Sequence, residues 1–230
     1  VAAPNVTIGH EICGKIVDAG PKARKHLADL LLGRSKKSTV VRKFVAGRSA
    51  AEVARDKRLV GFLRDKFNGT AEMHIACGEC WQCRHGERHV CRNTKIKGIQ
   101  QDGGFAEYLI VPAENVLLFE EREIPVEVIA FMDAIGNATH TVQSVAIEGK
   151  TVAVLGCGVQ GLMAIAVAKY CGASRIYATD ASHGEFTHEK LEEHRFCLAN
   201  LYGADHCFDV NIDREKERFY KTVMSETENT

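Results

Sequence analysis

The chain has 230 residues, of which 45% are hydrophobic and 26% are charged, values that are ordinary for a globular protein with a buried core. Thirty basic and thirty acidic residues give a formal net charge of zero, which argues against an overall attraction to nucleic acid or to an anionic membrane. No apolar run approaches the roughly 18 residues of a membrane-spanning helix, and no signal peptide is visible. Nine cysteines without a secretory signal favour a reducing compartment, so we expect a cytoplasmic protein.

The amino-terminal part of the chain predicts one strand and two helices. Residues 9–20 alternate polar and apolar side chains, which is typical of a strand. The segments 23–33 and 49–69 carry apolar residues at helical spacing and predict two amphipathic helices. Gly33 and Gly69 would end these helices, because glycine is the common residue just after a helix.

The segment 22–71, called the basic insert below, holds fourteen Lys and Arg against four Asp and Glu, a local charge of +10. Such clustering could mark a docking arm for nucleic acid or for an anionic membrane. The interpretation that we favour is a pair of solvated helices without a ligand, because charge runs are usually solvated faces. A third interpretation is an artefact in the assembly of the coding sequence. Few aromatic residues are present for base stacking, only Phe44, Phe62 and Phe67.

A lobe at 74–93 carries the most informative motif. Four cysteines lie within fifteen residues, in the spacing C-x2-C-x2-C-x7-C, at Cys77, Cys80, Cys83 and Cys91. Thiolates bind zinc in closed tetrahedra with Zn–S distances of about 2.3 Å. Gly78 and Gly86 would supply the sharp turns. The alternative is free or disulfide-bonded cysteines, although bridges between residues three apart are disfavoured. We therefore predict a structural zinc site, which has no open position for catalysis.

Two further elements follow the cysteine lobe. Residues 102–116 predict a turn and then a strand rich in Tyr, Leu, Ile and Val. Residues 125–147 predict a helical stretch with a break at Gly136.

The carboxyl-terminal part predicts strands alternating with helices. Residues 151–155 form a continuous apolar run, as expected for a strand that is buried on both faces of a parallel sheet. A helix at 162–170, a strand at 175–180, a helix near 191–202 and a strand at 206–210 follow. This alternation predicts a doubly wound α/β sheet.

The glycine pattern GxGxxG lies between the first strand and first helix of this region, at Gly156, Gly158 and Gly161. Gly156 would allow the tight turn, Gly158 and the adjacent Val159 would bring backbone amides to a pyrophosphate, and Gly161 would let helix and strand pack closely. Phosphates are favoured at a helix amino terminus. Asp180, at the end of the second strand, would accept hydrogen bonds from the adenosine ribose and repel a 2′-phosphate, which favours NAD over NADP. The alternative is a glycine-rich turn with no ligand.

Several stretches together resemble the zinc-containing medium-chain alcohol dehydrogenases: GHEICGKIV, CGECWQCRHGERHVC, DGGFAEYLIVPAENV, GNATHT and VAVLGCGVQGLMAIAVAK. Within that family, HIACG, CRNT, FAEYL and DAIGNATHT most resemble the L-threonine 3-dehydrogenase branch, with the sorbitol-type polyol branch next. The resemblance implies a partial, β-rich GroES-like domain at 1–147, containing the basic insert and the zinc lobe. A partial Rossmann domain at 148–230 would follow.

The resemblance also implies a second, catalytic zinc. His10 would be its imidazole ligand, Glu11 a nearby or exchanging ligand, and Asp133 an acidic residue near the metal. Such a zinc lowers the pKa of a secondary alcohol, and a hydride passes to NAD. His74 and His140 are either pocket residues or ordinary core or surface histidines. A small alcohol substrate and a homo-oligomer are implied as well.

Relative to this family, the sequence lacks a counterpart of the amino-terminal segment that carries a cysteine ligand and the proton relay. Cys13 does not occupy the position of that ligand. The last residue, Thr230, follows soon after the third Rossmann strand, and the basic insert replaces a shorter loop. We therefore expect impaired activity, and the alternative function is a catalytically silent zinc- and NAD-binding module with an interaction or regulatory role.

Overall fold

A computed structural model describes residues 5–227. The chain divides into two compact units, Val1–Asp133 and Ala134–Thr230, which are called unit 1 and unit 2 and are described separately. The domain boundary predicted at 147/148 stays a prediction. In the described part of the chain, no helix combines the length and the apolar character needed to cross a membrane.

The basic insert of unit 1 forms four helices where the sequence predicted two. They are α1 (Pro21–Arg34), α2 (Thr39–Val45), α3 (Ala50–Arg55) and α4 (Leu59–Lys66). Local signals fix their starts. Ser38 accepts a hydrogen bond from the Val41 amide at the start of α2, and Ser49 forms a reciprocal capping box with Glu52 at the start of α3. Helix α2 therefore forms between the two predicted helices, and the predicted helix 49–69 is divided at residues 56–58 into α3 and α4.

The four helices bury a common apolar core and expose their charged faces, which confirms the amphipathic character predicted for this segment, although two helices were predicted. Ten buried residues define this core: Leu27, Ala28, Leu31, Val41, Val45, Val53, Leu59, Leu63, Phe67 and Leu118. Phe44 and Phe62 stack beside it with ring centroids 3.9 Å apart. The basic side chains lie mainly outside this core, so the charge run and the buried apolar face are two sides of the same helices.

The insert core is joined to a short antiparallel sheet. Strand β1 (Phe67–Ala71) pairs with β4 (Val116–Glu120) from Phe67 opposite Glu120 to Ala71 opposite Val116. The Arg34 side chain at the end of α1 donates a hydrogen bond to the carbonyl oxygen of Leu118. Gly69, which was predicted to end a helix, therefore lies inside a strand, and Gly33 lies within α1.

Two other predicted strands are absent from the described residues. In 9–20, only Gly14 makes a β-bridge, by exchanging two backbone hydrogen bonds of 2.8 and 2.9 Å with Gly69. In 102–116, the strand begins only at the last residue of the predicted range, Val116, and Tyr108 and Ile110 are largely exposed. An alternating or apolar side-chain pattern thus did not suffice to predict a strand, because a strand also needs a neighbouring strand that pairs with its backbone groups.

The cysteine lobe is built from short elements. Strand β2 (His74–Ile75) pairs antiparallel with β3 (Lys95–Ile96), and α5 (Trp81–Arg84) and a short 3₁₀ turn lie between them. Further along the chain, helices α6 (Val126–Ala130) and α7 (Met132–Gln143) replace the single helical stretch. The break falls at Phe131 and not at the predicted Gly136.

Unit 2 confirms the predicted alternation of strands and helices. Its parallel sheet has the order β5 (Thr151–Leu155), β6 (Arg175–Asp180), β7 (His206–Asp209). Strand β5 pairs with β6 beginning at Thr151 opposite Arg175, and β6 pairs with β7 beginning at Tyr177 opposite His206. Helices complete the order: α8 (Val159–Tyr170), then a continuous helical stretch from α9 (His188–Lys190) through a π-helical turn at Leu191–Phe196 to α10 (Cys197–Tyr202), and finally α11 (Asp213–Thr227).

Helices cover both faces of this sheet, as a doubly wound fold requires. On one face, Ile176 and Ala178 pack in a buried cluster with residues of α8 and α10, such as Ile165. On the other face, Phe219 of α11 packs against the ring of Phe208 at 5.2 Å. Strand β5 departs from the prediction, because Leu155 is 78% exposed and only one of its faces joins the core. The strand is at the edge of the described sheet, so the expectation of burial on both faces was wrong.

Two adjacent valines of α2 test whether the insert is a packed core. Val41 is fully buried and Val40 is 39% exposed. We expect Val41→Ala to lower the free energy of unfolding by about 1.5–3 kcal/mol, because the methyl groups leave an apolar site that water does not fill. Val40→Ala is the matched control and should cost less than about 0.5 kcal/mol. Urea unfolding measures both, and equal small losses would contradict a packed insert.

Candidate metal centres and coenzyme-binding turn

The four cysteines of the lobe converge on one point. Their Sγ atoms lie 3.4 Å apart for Cys80 and Cys83, 3.6 Å for Cys77 and Cys91, 3.7 Å for Cys80 and Cys91, and 4.0 Å for Cys77 and Cys83. Four sulfurs around one zinc at 2.3 Å would be about 3.8 Å apart. All four cysteines are free, and the separations are too long for a disulfide. The donor set therefore fits a closed tetrahedral zinc site.

Backbone geometry prepares this loop for thiolates. Gly78 and Gly86 adopt the predicted turn conformations, with φ of +77° and +87°. The amide of Cys77 donates to Cys91 Sγ at 3.3 Å and lowers the pKa of Cys91 to about 6, despite partial desolvation. Desolvation, and next the contact with the Cys80 sulfur, raises the pKa of Cys83 to about 12. Amide donors thus stabilise negative charge on one sulfur, whereas a cation would be needed to stabilise charge on all four.

A second group of possible ligands lies elsewhere in unit 1. Ligand atoms of Glu72, His74 and Asp133 all lie within 4.8 Å of one another. His10 Nε2 is 4.0 Å from Asp133 Oδ2, so the structure brings together two of the three residues predicted for the catalytic zinc. The third, Glu11, is exposed and does not belong to this group. We call Glu72, His74, Asp133 and His10 the carboxylate–histidine cluster.

A buried asparagine positions two members of this cluster. Asn115 Nδ2 donates to the carbonyl oxygen of Glu72 at 2.7 Å and to that of His74 at 3.2 Å. The Asn115 carbonyl in turn accepts a hydrogen bond from the Glu72 amide. Sequence reasoning missed Glu72 and Asn115. The available signal was the spacing of Glu72 and His74, since residues two apart on an extended chain point to the same side.

Two other residues weighed in the sequence lie away from this cluster. Cys13 lines an apolar groove of unit 1 with Thr70 and Tyr108, and burial raises the pKa of its thiol. His140 is exposed on α7.

In unit 2, the glycine-rich turn has the geometry of a phosphate cradle. Gly156 has φ of +99°, which favours glycine. A Cβ at Gly161 would overlap the carbonyl oxygen of Gly156, so this position needs glycine for the turn to approach the helix. Gly158 caps the amino terminus of α8, and a Cβ there would meet no protein atom within 4 Å. Val159, the first residue of α8, is 66% exposed. Backbone amides at this terminus are therefore open to a ligand.

The predicted ribose acceptor, Asp180, lies beside this turn and has several partners. Its carboxylate accepts hydrogen bonds from the backbone amides of Cys157 at 3.2 Å and Ala181 at 2.8 Å. Arg195 donates to it at 2.7 Å, with its guanidinium 4.4 Å from the ring centroid of Phe186. Sequence reasoning missed Arg195, which is fifteen residues away along the chain. Because Arg195 balances the charge of Asp180, repulsion of a 2′-phosphate is weaker than the sequence suggested.

Asp209 fixes the loop that follows Asp180. It is fully buried at the end of β7 and accepts hydrogen bonds from the backbone amides of Ser182 and Asn211, while its other oxygen lies 3.1 Å from His188 Nδ1. Desolvation alone would raise the pKa of this carboxyl, but the hydrogen bonds outweigh it and lower the pKa. The loop beside the glycine-rich turn is thus anchored by one buried charge.

The cysteine site yields a direct prediction. We expect the protein to bind one zinc ion in the lobe, and Cys91→Ser to lose that ion and unfold the lobe, because three thiolates and a hydroxyl hold zinc far less tightly than four thiolates. Cys197→Ser is the control, since Cys197 is exposed on α10 in unit 2. Elemental analysis gives the zinc content. An unchanged zinc content in Cys91→Ser would contradict this assignment.

The chain is similar to known dehydrogenases in sequence and in fold. Residues 68–121 match the alcohol dehydrogenase GroES-like domain family. L-Threonine 3-dehydrogenase of Caldanaerobacter subterraneus is 40% identical over 159 residues, which cover 69% of this chain and 42% of the relative. The enzyme of the same name from Paraburkholderia phytofirmans is 34% identical over 221 residues, covering 96% of this chain and 50% of the relative.

The fold gives a consistent result. The crystal structure of galactitol-1-phosphate dehydrogenase from Escherichia coli superposes with a TM-score of 0.63 at 25% identity, covering 96% of this chain and 50% of that one. The chain spans about half the length of the curated relatives that it matches. The match to the GroES-like domain family includes the cysteine lobe. The matches that cover 96% of this chain also include the Rossmann unit. The comparisons therefore confirm the resemblance of this chain to the zinc-containing medium-chain alcohol dehydrogenase family.

Proposed function

We propose that the protein is a zinc-dependent oxidoreductase that transfers a hydride from a secondary alcohol, of threonine or polyol type, to NAD. The observation that carries the proposal is the presence in one chain of a carboxylate–histidine cluster and an open glycine-rich turn. Relatives named L-threonine 3-dehydrogenase support threonine as the first substrate to test. A homo-oligomer and a cytoplasmic location stay predictions, from the resemblance and from the cysteine content.

The substrate half of the reaction would depend on the carboxylate–histidine cluster. A divalent ion bound there would act as a Lewis acid and lower the pKa of the alcohol. The chain's own groups would hold that ion: imidazoles of His10 and His74 and carboxylates of Asp133 and Glu72 are suitable donors. His10 and His74 are about half exposed, which leaves them accessible to a small polar substrate. The cysteine lobe is a closed site and would only stabilise the fold.

The coenzyme half would depend on unit 2. The amino terminus of α8 offers unpaired amides and the positive end of the helix dipole to a pyrophosphate. Asp180 would accept hydrogen bonds from the ribose, provided that Arg195 shares or releases the carboxylate. The alcohol carbon would lose a hydride to C4 of the nicotinamide, and the hydroxyl would lose a proton to solvent, giving a ketone.

Two glycines of the turn separate coenzyme binding from folding. We expect Gly158→Ala to fold like the wild type, because the backbone there is extended and the added methyl meets open space. The methyl should obstruct the pyrophosphate and weaken NADH binding by about tenfold or more, or roughly 1.4 kcal/mol. Gly161→Ala should instead lower stability by about 1–3 kcal/mol, through overlap with Gly156.

NADH fluorescence titration and thermal unfolding together give the result. Unchanged NADH affinity in a folded Gly158→Ala variant would argue for a turn without a ligand.

A turnover assay tests the reaction itself. We expect NADH to form from NAD and L-threonine faster than from sorbitol or a simple secondary alcohol, and His10→Asn to abolish the rate. The second candidate function is a silent zinc- and NAD-binding module with an interaction or regulatory role. NADH binding without turnover on any of these alcohols would support that module and contradict the oxidoreductase.

A further inference from the structure

We propose that Asp209 is a positioning residue for coenzyme binding, which holds the Asp180–Arg195 pair in place beside the glycine-rich turn. Asp209 is fully buried at the end of β7, so it would act only through the groups that it binds. The inference rests on the proposed function, because it concerns the place where that function puts the coenzyme.

Asp209 first fixes the backbone that follows Asp180. The two aspartates are partners in the last pair of the parallel ladder between β6 and β7. The Asp180 carbonyl oxygen accepts a hydrogen bond of 2.8 Å from the Val210 amide. Two residues further along, the Ser182 amide donates to Asp209 Oδ1 at 3.0 Å. The chain from Asp180 to Ser182 is thus tied at both ends to the end of β7, which restricts the direction of the Asp180 side chain.

The other oxygen of Asp209 fixes the start of the helical stretch that carries Arg195. Asp209 Oδ2 lies 3.1 Å from Nδ1 of His188, the first residue of α9. The stretch continues without a break into the π-helical turn Leu191–Phe196, which includes Arg195. Because the helical stretch is continuous, the position of His188 helps to fix that of Arg195, which donates to Asp180 at 2.7 Å. One buried carboxylate therefore anchors the segments of both partners.

The hydrogen bonds of Asp209 explain why an acidic residue suits this position. Oδ1 accepts from two backbone amides, those of Ser182 and Asn211, while Oδ2 faces His188. Hydrogen bonds to a charged acceptor are stronger than those to a neutral one, and a buried amide left without a partner is costly. The Asn211 side chain supports the same loop by donating to the Ser182 carbonyl oxygen at 2.7 Å. Loss of the Asp209 carboxylate would therefore loosen the loop and the Asp180–Arg195 pair with it.

A second aspartate offers a matched control in the same sheet. Asp205 Oδ2 accepts a hydrogen bond of 2.7 Å from the Ile176 amide, so it also joins β6 to the chain at β7. This contact is at the amino-terminal end of both strands, whereas Asp209 and Asp180 are at the carboxyl-terminal end. Asp205→Ala thus removes a carboxylate–amide hydrogen bond between the same elements without affecting the loop after Asp180.

The test measures NADH affinity by fluorescence titration and stability by thermal unfolding, on the full chain loaded with zinc. We expect Asp209→Ala to weaken NADH binding by about tenfold or more, because the Asp180–Arg195 pair is no longer held for the coenzyme. Asp209→Asn should stay within about threefold of the wild type, since its amide oxygen can still accept from both backbone amides. Asp205→Ala should lower the Tm and leave NADH affinity unchanged.

A milder variant covers the case in which Asp209→Ala does not fold. Asn211 is exposed, and Asn211→Ala loses the side-chain hydrogen bond to Ser182 while Asp209 stays in place. It should weaken NADH binding by about two- to fivefold with little change in Tm.

Four results would overturn the inference. They are unchanged NADH affinity in a folded Asp209→Ala, unchanged affinity in Asn211→Ala, an Asp209→Asn variant as weak as Asp209→Ala, and equal losses of affinity in Asp209→Ala and Asp205→Ala. The first of these would leave NADH binding by the wild type, and so the proposed function, intact. The expected variant losses without NADH formation from any alcohol would keep the positioning role and reject the proposed reaction. A wild type that does not bind NADH would reject both.

Discussion

The antiparallel pairing of β1 with β4 is the constraint on which unit 1 depends. On one face of this ladder, Phe67 and Leu118 complete the core of the basic insert. At its far end, Asn115 is the residue just before β4. Its side-chain amide donates to the backbone carbonyl oxygens of Glu72 and His74, which positions these two residues. Five residue pairs therefore connect a helical insert to a candidate metal centre. A shift of one residue in this register would turn Phe67 and Leu118 away from the insert core and move Asn115 from its carbonyl partners.

Local motifs in this chain were predictable because their residues need only each other. The cysteine spacing and Gly78 and Gly86 lie on one short segment, and the glycine-rich turn joins one strand to one helix. Unit 2 followed the predicted alternation because parallel strands and crossover helices have distinct periods. The insert helices were less predictable. Ser38 was available in the sequence as the cap of α2, which apolar periodicity did not predict, and periodicity joined α3 and α4 across the break at residues 56–58.

Long-range features could not be derived in the same way. The alternation in 9–20 is genuine, but a strand forms only where a neighbouring strand offers backbone groups, and within 9–20 only Gly14 forms a β-bridge, with Gly69. The carboxylate–histidine cluster draws on residues from His10 to Asp133, so only the tertiary fold brings them together. Resemblance supplied His10 and Asp133 from family motifs, and the role of Glu11 as a nearby or exchanging ligand stays a prediction.

The two candidate metal centres and the coenzyme turn differ in how much of their charge the fold leaves available to a ligand. Four thiolates close around one ion and leave no free coordination position, so that site can only hold the lobe together. At the carboxylate–histidine cluster, half-exposed side chains would leave a bound cation open to solvent and to a substrate. Asp180 lies between these extremes, because Arg195 and two backbone amides already satisfy its carboxylate. A ribose hydroxyl would therefore have to compete with Arg195 for Asp180, whereas a 2′-phosphate would gain Arg195 as a partner. We therefore expect selectivity between NAD and NADP to depend on the Asp180–Arg195 pair and not on Asp180 alone.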